Sequence, residues 1–140
     1  MKISLKNGDE YLLEKLIVDL ESTYKLTKQI KDNFLSYKLE VYSSKMVDDL
    51  INLGCVPNKS LILTPPNLKD KFVPHFIRGY FDGDGSIGRY DGRLKFSLLG
   101  TNELLVWVLN FFKNKGMKTT PKISKNKNIH SIQVNSKLDV

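Results

Sequence analysis

The sequence predicts an α+β fold with antiparallel sheets, built from two incomplete copies of one helix-and-hairpin unit. Three observations point there. Short alternating strands are joined by tight-turn pairs such as Asp91-Gly92. Amphipathic helices opened by Asp, Ser or Thr stand between the strands. The order strand, helix, strand also occurs twice. Ile3-Ser4-Leu5, a helix from Asp9 and Leu39-Glu40-Val41-Tyr42-Ser43 recur as Phe96-Ser97-Leu98, a helix from Thr101 and Ile132-Gln133-Val134-Asn135-Ser136, at an offset of 92 to 93 residues. The complete unit is α-β-β-α-β-β-α. Residues 1–68 form a first copy without its opening helix and first strand; residues 69–140 form a second without its closing helix.

Taken in order, Ile3-Ser4-Leu5 is a brief strand and Asn7-Gly8 a turn. Asp9 caps a helix whose apolar positions are Leu12, Leu13, Leu16, Ile17 and Leu20. Tyr24 to Lys31 is polar and compatible with a strand, and Asp32-Asn33 is a turn. Tyr37, Leu39 and Val41 alternate with Lys38, Glu40 and Tyr42, the pattern of a half-buried strand. Ser43-Ser44 opens a helix through Met46, Val47, Leu50, Ile51 and Leu53, which Gly54 ends. Pro57-Asn58-Lys59-Ser60 is a turn, and Thr64-Pro65-Pro66-Asn67 a stiff connector.

A helix follows from Pro74, which suits a first helical turn because its missing N–H has no partner to lose there. Ser86 to Tyr90 and Arg93 to Leu99 form a hairpin about Asp91-Gly92, with Leu94, Phe96 and Leu98 on one face and Arg93, Lys95 and Ser97 on the other. Thr101 caps a helix through Leu104, Leu105, Val108, Leu109 and Phe112, with Trp107 packed beside it and Gly116 at its end. Lys118 to Ser124 and Ile129 to Asn135 form a second hairpin about Lys125-Asn126-Lys127-Asn128. His130, Ile132 and Val134 oppose Ser131, Gln133 and Asn135, with His130 at the rim of the core.

The stretch Pro74 to Ile87 is the centre of the chain. Gly79 and Gly83 lie four apart on one helix face. Each mid-helix glycine costs about 1 kcal/mol against alanine, so a pair of them calls for close approach of a second backbone. Asp82 and Asp84 sit at the helix C-terminus, where the helix dipole disfavours carboxylates. A turn or a bound divalent cation would accommodate them. A calcium loop of the EF-hand type starting at Asp82 fails, because its sixth position is Ile87 instead of glycine and its twelfth is Arg93 instead of glutamate.

Ile77-Arg78-Gly79-Tyr80-Phe81-Asp82-Gly83-Asp84-Gly85, with Phe76 before it and Ser86-Ile87 after it, resembles the motif that names the LAGLIDADG homing endonucleases. The resemblance extends from Ile3 to about Ser136 and implies saddle-shaped sheets that straddle double-stranded DNA. It makes Gly79 and Gly83 the helix-packing residues, Asp84 the metal-binding acid and Gly83 a backbone contact to the same Mg2+. Lys59 occupies the loop where such enzymes keep a lysine near the scissile phosphate. Lys25, Lys38, Arg93, Lys95, Lys122, Ser131, Gln133 and Asn135 fall on the strand face that meets DNA. Cations there hold phosphates, and hydroxyls and amides reach base edges. The implied reaction is Mg2+-dependent phosphodiester hydrolysis, in a homing role tied to intron or intein mobility.

Such enzymes use one acid from each of two motif helices, and this chain carries one motif. The resemblance therefore implies an endonuclease acting as a homodimer through the Gly79/Gly83 face or with a further N-terminal segment. A non-cleaving DNA-binding protein on the same fold is the second reading, and an intron RNA splicing helper the third.

Charge agrees with a polyanion partner. Residues 1–70 carry ten basic and ten acidic side chains, whereas residues 71–140 carry twelve and five. The single Cys55 forms no intramolecular disulfide and reads as a small core residue in a reducing, cytoplasmic setting. His75 and His130 lack the neighbours of a zinc site. The N-terminus lacks the apolar run of a signal peptide, and no stretch is long enough to span a membrane.

Overall fold

The computed structural model describes residues 1–55 and 61–137. It is an α+β structure with two antiparallel sheets, and it separates into two compact units, Met1–Asp48 and Asp49–Val140. The sequence places the limit between repeats at 68/69. The compact units divide at Asp48/Asp49, inside a helix.

The first unit opens with β1 (Lys2–Lys6), turns at Gly8, where φ is +99°, and enters α1 (Glu10–Asp19). Asp9 is the N-cap residue, but its side chain caps nothing; the Gly8 N–H donates to the Glu10 carboxylate instead. The next strand is shorter than its sequence suggests. Tyr24 gives its N–H to the Ser22 hydroxyl and its phenol O–H to the Tyr42 carbonyl, so β2 is confined to Thr27–Lys31. Asp32 and Asn33 both have positive φ, which suits the right-handed twist of a two-residue hairpin, and β3 (Phe34–Glu40) returns. The sheet order is β1-β3-β2. Leu13, Leu39 and Val41 form its buried core. Ser43 then caps α2 (Ser44–Asn52) by accepting from the Met46 N–H.

The second unit starts within α2, which Gly54 ends at φ +95°. The turn expected at Pro57 to Ser60 lies outside the described residues. A short 3-10 turn (Asp70–Phe72) leads into α3 (Val73–Asp84), with Pro74 in its first turn. β4 (Gly85–Tyr90) follows α3 with no loop between them. Asp91 and Gly92, both at positive φ, make the turn to β5 (Arg93–Gly100). Thr101 caps α4 (Asn102–Asn114), accepting from the Leu104 N–H and donating to the Leu63 carbonyl.

β6 covers Ile123–Asn126 and β7 Ile129–Lys137. The strand expected from Lys118 therefore begins later. Pro121 has no N–H to give a ladder, and Lys125 and Asn126 extend the strand to a two-residue turn at Lys127-Asn128. The order in this sheet is β4-β5-β7-β6. Its segment β5-β7-β6 repeats β1-β3-β2, so the internal repeat of the sequence is also a repeat of topology.

One face of the second sheet carries Phe96, Leu98, Ile123, Ile132 and Val134. Val73, Ile77, Leu105, Val108 and Leu109 from α3 and α4 join Leu98 and Ile132 in the buried core. Phe81 stacks on Phe96 with ring centroids 4.6 Å apart, and Trp107 meets Phe76 edge-on at 5.9 Å. Cys55 is exposed rather than in the core; it directly follows Gly54, where its helix ends. Among the described residues, no helix is long and apolar enough to cross a membrane.

Candidate nucleic-acid interface

The register of the second sheet decides which side chains share its outer face. In an antiparallel pair, directly opposed residues point to the same side. Lys95 lies opposite Gly88 and Asn135, Ser97 opposite Ser86 and Gln133, and Arg93 opposite Tyr90. Ser131 lies opposite Leu99 and Ser124. Arg93, Lys95, Ser131, Gln133 and Asn135 therefore stand together on the face turned away from the core. The hydroxyls of Ser86 and Ser97 hydrogen-bond across β4 and β5 at 2.7 Å on the same face. No carboxylate belongs to this register. The face offers cations, hydroxyls and amides, a donor-rich surface suited to phosphates and base edges.

Three predicted members of this surface do not stand as expected. Lys25 precedes β2, in the segment that the two Tyr24 hydrogen bonds hold away from the ladder. Lys122 precedes β6, next to Pro121. Lys38 does point away from the core of the first sheet, opposite Ser4 and Thr27, but it is engaged. Its ammonium lies 2.9 Å from the Glu40 carboxylate, and its side chain is only 13% exposed. That hydrogen bond holds Glu40 below the usual carboxylate range. Lys59 lies outside the described residues.

Asp84 is the last residue of α3 and is exposed. Its charge is felt by Tyr80 one turn earlier. Burial, together with that charge, pushes the Tyr80 phenol up to about 12. The phenol donates to the Leu99 carbonyl at 2.9 Å, tying α3 to β5. The Gly83 carbonyl belongs to the last helical turn, whose carbonyls have no helical N–H left to accept. One carboxylate and one carbonyl are hard oxygen donors of the kind Mg2+ takes, and Mg2+ usually completes its shell with water and substrate phosphate. The donor chemistry thus fits the ion. Among the described residues, no three His, Cys, Asp or Glu side chains gather into a metal cluster.

Gly79 and Gly83 are both exposed on α3. Beyond its own stretch of helix backbone, a Cβ placed on either would meet nothing within 4 Å. The face they form is open among the described residues.

Tyr90 belongs to this face as well, although it is not among the site residues to which the sequence points. This side chain shares the outer face with Arg93 and Lys95, and the Lys95 ammonium lies 5.7 Å from its ring centroid. The signal was available: a two-residue turn at Asp91-Gly92 pairs Tyr90 directly with Arg93.

The structure has a fold similar to that of the meganuclease I-SmaMI, solved bound to uncleaveable DNA with a TTCT central four. The TM-score is 0.59 at 14% sequence identity, covering 96% of this chain and 67% of that one. No family model matches the sequence, and no curated protein matches it.

Proposed function

We propose that the chain is a DNA-binding protein of the homing-endonuclease type that hydrolyses phosphodiesters of double-stranded DNA with Mg2+. The observation that carries this reading is the outer face of β5 and β7, where Arg93, Lys95, Ser97, Ser131, Gln133 and Asn135 share one surface on a meganuclease-like fold. In this reading Arg93 and Lys95 hold phosphates, while Ser131, Gln133 and Asn135 read base edges. The Asp84 carboxylate and the Gly83 carbonyl would hold Mg2+. The ion, when bound, supplies an activated water and charge stabilisation for the leaving oxygen. Asp84 orients that ion at the end of α3, and Lys59 offsets phosphate charge.

This sequence brings one acid, so cleavage requires a second, from another chain or from a further N-terminal segment. The open Gly79/Gly83 face supports a twofold pairing of α3 helices that would bring the two Asp84 residues together. Repeats at 1–68 and 69–140 complete the proposal. A non-cleaving DNA-binding protein is the second reading, favoured by the same single acid.

The test is nicking of supercoiled plasmid with Mg2+ by wild type and Asp84→Asn, alongside duplex binding. Asp84→Asn is expected to lower nicking about a hundredfold or more while binding is kept. Equal nicking by both proteins overturns the role of Asp84. Binding by both without nicking establishes the second reading. Gly83→Leu should give monomer and abolish nicking, and Lys59→Met should lower nicking far more than binding.

A further inference from the structure

A recess of about 390 Å3 opens on the outer face of the second sheet, lined by Tyr90, Asp91, Arg93, Lys95 and Asn135. It lies at the tip of the β4–β5 hairpin, and its chemistry differs from that of the rest of the face. Tyr90 is 63% exposed, a large aromatic surface standing among polar residues. Its ring reaches back over Gly88, two residues earlier on the same face. A Cβ on Gly88 would lie 2.9 Å from the ring's Cε2 and 3.4 Å from Cζ. The absence of a side chain at 88 therefore lets the ring settle toward the sheet instead of standing upright. Lys95, directly opposite Gly88, places its ammonium by the ring, and Arg93 pairs across from Tyr90. Asn135, opposite Lys95, brings an amide to the far side.

We propose that this recess is a site for one unpaired nucleotide of an otherwise paired DNA, its base stacked on Tyr90, its phosphate held by Arg93 and Lys95 and its edge hydrogen-bonded by Asn135. The inference rests on the reading that this face binds nucleic acid, and it goes further in the form of DNA preferred. A base inside a duplex has both π-faces covered by its neighbours, so an aromatic ring on an open sheet gains little from it. An unstacked base offers a free face, and stacking on an aromatic side chain is then sequence-tolerant and worth about tenfold or more in affinity. The two cations supply the adjoining phosphate contact and the amide reads the exposed edge. Asp91 also lines the recess, and its carboxylate repels any phosphate placed beside it.

The experiment is anisotropy titration of the full chain with three labelled probes: a fully paired duplex, the same duplex with a single unpaired thymine, and a short single-stranded oligothymidylate. The wild type is expected to bind the bulged duplex about tenfold tighter than the paired one. Tyr90→Ala should lose that preference, so that bulged and paired duplex bind alike. Tyr90→Phe should keep it, and Gly88→Val should weaken it by displacing the ring. Equal binding of bulged and paired duplex by the wild type overturns the proposal and leaves duplex binding standing, as does an equal loss on all probes in Tyr90→Ala. Tyr90-dependent binding of the bulged and single-stranded probes without binding of the paired duplex supports the recess and overturns the duplex reading. Binding of no probe overturns both.

Discussion

The two units use the same strand order but build cores of different size. Among the described residues, seven buried side chains form the central cluster of the second and three that of the first. The difference comes from two helices, because α4 also buries Leu105, Val108 and Leu109 where α1 buries Leu13. The second unit has α3 and β4, and α3 brings Val73 and Ile77 into the core while Phe76, Tyr80 and Phe81 pack around it. The first unit has neither, and its helix α1 leaves Tyr11, Leu12 and Val18 exposed at 60%, 46% and 73%. The helix that ends in Asp84 is thus also the element that closes the core. Burial of a large apolar side chain is worth roughly 1.5–3 kcal/mol, so the unit without α3 and β4 is the weaker of the two.

The largest test of that contrast is cavity formation. Leu105→Ala should cost about 4–5 kcal/mol, near the top of the Leu→Ala range, because Leu105 is fully buried between two helices and a sheet that cannot collapse freely. Leu13→Ala in the first unit should cost only about 2–3 kcal/mol, since a smaller core relaxes around the gap. Urea unfolding followed at Trp107 reads the first, and amide exchange in β1 and β3 reads the second. A larger cost at Leu13 would break the comparison.

A smaller effect separates the units by pH. Tyr80 is neutral in the folded state until about pH 12, against a reference of 10.0. Its contribution is complete below pH 10. As pH rises from 10 to 12 the unfolded chain releases its proton first, so stability falls, and above 12 the loss levels off. Tyr80→Phe removes both this dependence and the hydrogen bond to Leu99, at a cost of about 1 kcal/mol at neutral pH. Denaturant midpoints at pH 9 and pH 11 should therefore differ more in wild type than in the variant. A variant with the same pH difference would clear Tyr80 of the effect.

The smallest effect concerns two lysines that look alike in sequence. Lys95→Ala should lower the salt dependence of duplex binding by about one unit of slope. Lys38→Ala should change it by less than about half of that, because Lys38 is already committed to Glu40. Equal slopes would mean that Lys38 leaves its partner when DNA arrives.

Much of this was legible in the chain. The turns at Asp32-Asn33 and Asp91-Gly92 carry residues that tolerate positive φ, and they set the register of their hairpins locally. The caps at Ser43 and Thr101 act through side chains on nearby backbone N–H groups, which is also local. What escaped the sequence depends on neighbours. The start of β6 follows from Pro121 overriding a β-compatible run. Lys38 looked free because its partner lies two residues on, along the same strand face. The position of the Tyr90 ring rests on an empty place at Gly88, and Asp84's lack of a donor cluster among the described residues becomes visible only once the helix end is placed in space.

The junction at Gly85 has a mechanical consequence. Asp84 ends α3 and Gly85 begins β4, and the Gly85 N–H still donates to the Phe81 carbonyl as the helix cap. A side chain at 85 would collide with that carbonyl and with the Phe81 ring, which is itself stacked on Phe96 of the neighbouring strand. Helix and sheet are welded at this point, with no hinge between them. Any bending that a bound polymer imposes on β4 must swing the Asp84 carboxylate along with it. The strand is the long arm of a lever and the acid rides on its short end.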